Sequence, residues 1–146
     1  MEEIRVYPDP QGFFSVQMPH NWRAENAEGL VEFLAPEKID GVRPNFSVMA
    51  QHVPPLTMEE YITFTRLEGK QIAQKEFLDR DESLDSNTHV FEWLNQLAPI
   101  VTWHRCQLFF GKNRKVFSVT AACLPHLSNK IFDSIFDSFE LDESIR

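Results

Sequence analysis

Two long runs in the C-terminal half of the chain, Ile100 to Phe110 and Lys115 to Leu124, alternate in character with a period of two. They flank Gly111-Lys112-Asn113-Arg114. Runs rich in Val, Phe, Trp and Thr around a turn bearing Gly and Asn predict a β-hairpin. Symmetric closure pairs Phe110 with Lys115, Leu108 with Phe117, Cys106 with Val119 and His104 with Ala121. Strand side chains alternate in direction. One face therefore gathers His104, Cys106, Leu108, Phe110, Phe117, Val119, Ala121 and Cys123. The other gathers Trp103, Arg105, Gln107, Phe109, Val116, Ser118, Thr120 and Ala122. The first set predicts a core face, the second a mixed face that is wet or partly covered. A slip of one residue would exchange the sets, so everything inferred from them rests on the register.

After Leu127 the period changes from 2 to 3.6. Leu127, Ile131, Phe132, Ile135, Phe136 and Phe139 fall within about half of a helical wheel at roughly 100° per residue, which predicts an amphipathic helix over Leu127 to Phe139. Lys130 and Asp137 each oppose its dipole by about 0.3–1 kcal/mol. Burial of Ile131, Phe132, Ile135 and Phe136 at about 1.5–3 kcal/mol apiece outweighs that, so the helix docks on the predicted core face.

Upstream, the pattern predicts strands at Ile4–Tyr7, Phe13–Met18, Leu30–Ala35 and Asn45–Val53, several of them punctuated by Pro. His20-Asn21-Trp22 reads as a turn with an aromatic plug. A helix is predicted from Thr57 to about Ala73, opened by a Thr57–Glu60 capping box. Its inward stripe is Met58, Tyr61, Ile62, Thr65, Gly69 and Ile72, and its solvated face is Glu59, Glu60, Thr63, Arg66, Lys70 and Gln74. Leu67 lies off the stripe and is expected to touch a loop or a partner. Glu76–Leu84 and Thr88–Leu94 form a strand pair about Asp85-Ser86-Asn87, and Glu140–Arg146 reads as a frayed polar tail. The sum is one α+β domain over residues 1–146. Its antiparallel sheet has about six to eight strands and is flanked by two main helices, an α/β/α sandwich.

The net charge of −8 argues against nucleic acid as a partner. No run of apolar residues is long enough to span a membrane, and the acidic start Met1-Glu2-Glu3 points to a cytoplasmic chain. The symmetric register places Cys106 and Cys123 on one face but on the order of 13 Å apart at about 3.3 Å per residue. That exceeds the reach of a disulfide, about 7 Å between Cα atoms, so both are read as reduced, buried, small apolar residues.

Candidate chemistry is sparse. His104 and Cys106 share a strand face, which would permit a thiolate–imidazole pair, but on a core face Cys is inert. Asp79, Asp81, Ser83 and Asp85 have the spacing of half a calcium loop, yet Leu84 and Val90 stand where Gly and a closing acid belong. The histidines His20, His52, His89, His104 and His126 lack metal-ligand spacing, and Asn45-Phe46-Ser47 is a glycosylation pattern set within a strand. No catalytic residue, metal or cofactor is assigned.

Gly12-Phe13-Phe14-Ser15-Val16-Gln17-Met18-Pro19-His20-Asn21-Trp22 resembles the "aromatic strand, Pro, polar turn, Trp" entry of the superfamily holding PsbP, the Ran-binding Mog proteins and the DcrB-like bacterial proteins. Val116-Phe117-Ser118-Val119-Thr120-Ala121, followed by Ile131-Phe132-Asp133-Ser134-Ile135-Phe136-Asp137-Ser138-Phe139, resembles its last strand and terminal helix. The resemblance implies an antiparallel sheet between helices and a non-enzymatic accessory or adaptor role. A DcrB-like chaperone for secretion effectors and a PsbP-like photosystem accessory protein are both within it. No functional residue carries over.

The surface expected to bind is the hairpin's mixed face, where Trp103, Arg105, Gln107, Ser118 and Thr120 combine an aromatic platform, a cation and hydrogen-bonding groups. An ordinary outer face partly covered by the first helix is the plainer reading of the same residues. The expected partner is a protein or peptide, with a homodimer left open. Arg105→Gln with Trp103→Ala is expected to weaken capture without unfolding. The competing reading is a small enzyme with a loop-built pocket that includes His20 and His126.

Overall fold

The computed structural model describes residues 3–70, 75–97 and 99–145. Among the described residues, ten strands form two antiparallel sheets. The smaller sheet has the order β1 (Ile4–Pro8), β2 (Phe14–Pro19), β10 (Glu140–Leu141). The larger has the order β3 (Arg23–Ala27), β4 (Leu30–Leu34), β5 (Asn45–His52), β9 (Lys115–Cys123), β8 (Ile100–Phe110), β7 (Thr88–Leu97), β6 (Lys75–Asp85). Helix α1 (Met58–Lys70) packs on one face of the larger sheet, and α2 (Ser128–Ser138) packs on the other beside the smaller sheet. The sheet between helices expected from the sequence is therefore present.

The hairpin closes differently from the symmetric expectation. Gly111 N–H donates to Lys115 O at 2.8 Å, so the loop has three residues, Lys112, Asn113 and Arg114, instead of four. Asn113 and Arg114 take left-handed φ values of 58° and 59°, the backbone shape that turns a short loop back on itself. Phe110 pairs with Val116, Leu108 with Ser118, Cys106 with Thr120 and His104 with Ala122. This is the one-residue slip, and it exchanges the faces of β8 relative to β9. Trp103, Arg105, Gln107 and Phe109 now lie with Phe117, Val119, Ala121 and Cys123 under α2, while His104, Cys106, Leu108 and Phe110 lie with Val116, Ser118, Thr120 and Ala122 on the α1 side. Cys106 and Cys123 thus project from opposite faces, and both thiols are free.

The main core is aromatic. Phe132 on α2 meets Trp22 at 6.0 Å, Trp103 at 6.1 Å and Phe46 at 6.4 Å between ring centroids. Trp22 is buried, as an aromatic plug should be. Across the sheet, Ile62 of α1 seals a smaller cluster with Phe91, Leu108 and Val116. The capping box forms as expected: Glu60 N–H donates to Thr57 Oγ1 at 3.1 Å, and Thr57 N–H to Glu60 Oε1 at 3.2 Å. The segment 71–74, including Ile72, Ala73 and Gln74 of the expected helix, lies outside the described residues.

Two elements were not foreseen. Arg23–Ala27 forms β3 despite its polar sequence, because each residue pairs with β4. The C-terminal residues expected to fray are instead fastened. Leu141 and Ile145 are buried, Asp142 N–H donates to Phe13 O at 2.8 Å and Lys112 N–H to Ile145 O at 2.6 Å. Apolar side chains at positions 141 and 145 supply the anchor that a wholly polar tail would lack.

Candidate functional site

The register divides the five residues expected to bind. Trp103, Arg105 and Gln107 are buried beneath α2, at 6%, 7% and 7% exposure. Trp103 donates its indole N–H to Glu92 Oε1 at 2.9 Å. Arg105 donates to Gln107 Oε1 at 2.8 Å, stacks on the Phe136 ring at 4.0 Å, and leaves its Nε without a partner. Burial, followed by the nearby Arg80, lowers the Arg105 pKa from its ordinary value. These three side chains are components of the interior. Ser118 and Thr120 lie on the opposite, α1-facing side and are half-buried.

That side is the accessible one. The β5 residues Ser47 and Met49 pair with Thr120 and Ser118, and Met49 is 38% exposed although its strand is interior to the sheet. Tyr61 of α1 borders this patch: its hydroxyl lies 3.4 Å from Gln51 Oε1, and burial, then the neighbouring Cys106, raises its pKa. Along β8 the patch continues through Cys106 to His104, whose ring stacks flat on Trp93 at 5.3 Å between centroids. Lys75 places its ammonium over the far end of this stack, 4.6 Å from the Trp93 ring.

The His104–Cys106 pair is held out of the ionised state a nucleophile needs. His104 Nε2 lies 2.9 Å from Thr102 Oγ1 and 3.2 Å from Asn95 Nδ2, and burial, with Lys75 adding to it, lowers its pKa to about 4. Burial pushes the Cys106 thiol up to about 11. At neutral pH both groups are uncharged. The Asp79–Asp85 segment is an edge strand, and Asp81 serves as an anchor within it. Asp81 accepts from Arg66 Nε at 2.5 Å, from Arg66 Nη2 at 2.7 Å and from His89 Nε2 at 2.6 Å, while Ser83 Oγ lies 3.2 Å from His89 Nδ1. Arg66 holds the Asp81 carboxyl below the usual carboxylate range. This network fastens α1 to β6 and β7. Sequence spacing alone did not connect it, because Arg66 and Asp81 meet only through the tertiary fold. Among the described residues no group of His, Cys, Asp or Glu is arranged to hold a metal ion.

A concavity of about 680 Å³ lies between α2, the start of β1, the end of β2 and the loop at 35–44. Met18, Trp22, Ile39, Leu127, Ile131 and Ile135 give it apolar walls. His20 and His126 neighbour lining residues but do not themselves line it, so the loop-built acid–base pocket expected around them is not assembled there. No helix among the described residues is long and apolar enough to cross a membrane.

No family model and no curated protein matches the chain significantly. Solved structures do. The Ran-binding protein Mog1p of Saccharomyces cerevisiae superposes with a TM-score of 0.66 at 10% identity, covering 97% of this chain and 96% of that one. LpqN, involved in cell envelope biogenesis in Mycobacterium tuberculosis, gives a TM-score of 0.68 at 9% identity over 95% of this chain and 90% of its own. Protein PA94 of unknown function from Pseudomonas aeruginosa gives 0.58 at 11% identity, covering 87% of this chain and 88% of that one. At these identities the likeness is one of architecture, and the chain has the α+β Mog- and PsbP-like fold along nearly its whole length.

Proposed function

We propose that this chain is a non-enzymatic binding or adaptor protein that captures a protein or peptide partner on the α1-facing side of its larger sheet. The observation that carries this reading is the accessibility of Met49 among half-buried Ser47, Ser118 and Thr120, at the centre of a sheet whose other face is sealed. A mixed apolar and hydrogen-bonding surface of this kind suits recognition of a polypeptide. Ser118 and Thr120 stay in the proposed surface, and Trp103, Arg105 and Gln107 support it from beneath. The neutral state of His104 and Cys106 favours binding over nucleophilic chemistry. The Ran-binding Mog1p supplies a precedent for partner capture on this architecture. A secretion-effector chaperone of the DcrB-like kind is the specialised form of the same proposal, with an apolar helix of the effector lying across Met49.

The test is affinity capture from the native host, comparing wild-type protein with Met49→Arg combined with Thr120→Arg. The variant should keep its circular-dichroism spectrum and cooperative melting while recovering at least tenfold less of the specific co-purifying protein. Undiminished recovery by the folded variant would exclude this face as the capture surface.

A further inference from the structure

The crest of α1 departs from what a solvated helix presents. At about 100° per residue, the line opposite the buried Ile62 runs through Glu60, Phe64 and Leu67. Phe64 is 57% exposed and Leu67 is 56% exposed, and they sit i, i+3 on adjoining positions of that line. Leu67 stood off the inward stripe on sequence grounds, and Phe64 joins it. Around the pair acids predominate, with Arg66 and Lys70 as the two basic residues of the helix. Glu59, Glu60 and Glu68 are exposed, while Arg66 is the sole basic residue between Met58 and Glu68. Arg66 offsets them little, because its Nε and Nη2 pair with the Asp81 carboxylate.

The adjoining edge strand continues this character. Asp79, Glu82 and Asp85 of β6 are exposed. Its basic side chains are engaged as well: Arg80 with Glu82 and Glu92, and Lys75 over the Trp93 ring. What remains for a partner is an apolar pair flanked by Glu59, Glu60 and Glu68, with Lys70 at the end of the helix. We propose that the α1 crest is a docking site for a positively charged amphipathic segment of another protein, with apolar side chains seated on Phe64 and Leu67 and Lys or Arg side chains meeting Glu59, Glu60 and Glu68. Charge complementarity selects this occupant. A second copy of the chain would bring the same acids face to face across a two-fold axis, where like charges oppose association.

This site is separate from the sheet surface around Met49, and its test uses other variants. The probe is a synthetic amphipathic helical peptide of Lys and Leu, with a Glu and Leu peptide as its opposite, titrated into the full chain and followed by backbone-amide NMR. The Lys peptide should perturb amides centred on Glu59–Glu68, bind more weakly as salt rises, and lose at least tenfold in affinity to Phe64→Ser with Leu67→Ser. Both substituted positions are more than half exposed, so the fold should persist, as circular dichroism will verify. Glu59→Lys with Glu68→Lys provides a second variant that keeps the apolar pair, and it should invert the preference between the two peptides. Equal binding of both peptides by wild-type protein would overturn the proposal. So would perturbations centred elsewhere, or unchanged affinity in the folded serine variant. A dimer in sedimentation that the serine substitutions dissolve would overturn it too, by assigning the patch to a second copy.

Discussion

Side chains one residue apart on the central strands meet opposite environments. On β5, Phe46 and Val48 are 0% and 2% exposed beneath α2, whereas Met49 on the reverse face is 38% exposed. The same strand is thus a core element on one side and a surface on the other. The α2 face is sealed by a helix together with the smaller sheet; the α1 face carries a single helix, closed over Ile62, Phe91, Leu108 and Val116. A sheet that needed stability alone would gain from covering both sides. The proposed capture surface lies on the side left accessible.

Substitutions on the sealed face should therefore dominate stability. Phe132→Ala is expected to cost about 3–5 kcal/mol in denaturant unfolding, against roughly 0.5 kcal/mol or less for Met49→Ala. Comparable losses from the two would erase the distinction between faces. Trp103→Ala belongs with Phe132 and should also cost about 3–5 kcal/mol. This reverses the expectation, drawn from the symmetric register, that Arg105→Gln with Trp103→Ala leaves the fold intact.

A second way to sharpen the comparison uses pH. His104 is depressed from 6.5 to about 4, mainly by burial. Between those values the unfolded chain holds a proton that the folded chain refuses, so stability should fall as pH drops from about 6.5 toward 4. The shift corresponds to roughly 3 kcal/mol. Unfolding curves across that range should flatten in His104→Asn, and an unchanged pH slope would show that the Trp93–His104 stack is open to water.

Arg105 probes the sealed side from another direction. Its guanidinium is buried with an orphan Nε over Phe136. Arg105→Ala should cost about 2 kcal/mol through the void it leaves, whereas Arg105→Met should be neutral within about 1 kcal/mol or stabilising. Equal losses for both would mean that the charge itself is needed. A smaller effect than these losses in the core concerns α1 alone. Thr57→Ala removes half of the capping box and should cost about 1 kcal/mol, read from the unfolding midpoint.

The periodicities carried most of the architecture. Both helices, the capping box and the long strands were legible because each rests on local patterning. The binding face was not, and the cause is specific. Face assignment in a hairpin depends on whether the loop holds an odd or an even number of residues, and Arg114 in a left-handed conformation is a choice that its sequence does not advertise. Arg105 and Gln107 also look like surface residues by type. They are buried beside Trp103, Arg105 bonded to Gln107 and stacked on the Phe136 ring of α2, and Trp103 bonded to Glu92 of β7. The β3 and β10 strands were missed for a related reason: each is short and is held by pairing with a neighbour rather than by its own pattern.

The smaller sheet joins the two ends of the chain, and this sets an order of events during synthesis. β2 receives β10 along its edge, and Gln17 N–H finds Ser138 Oγ across 121 positions. The hairpin of β1 and β2 emerges before the rest of this fold, with Phe14, Val16 and Met18 still lacking α2 and β10 as neighbours. Contacts this distant in sequence form late and slowly. Until residue 141 is available, a newly made chain carries a greasy N-terminal ribbon, and it is in that interval that a chaperone would have most to hold.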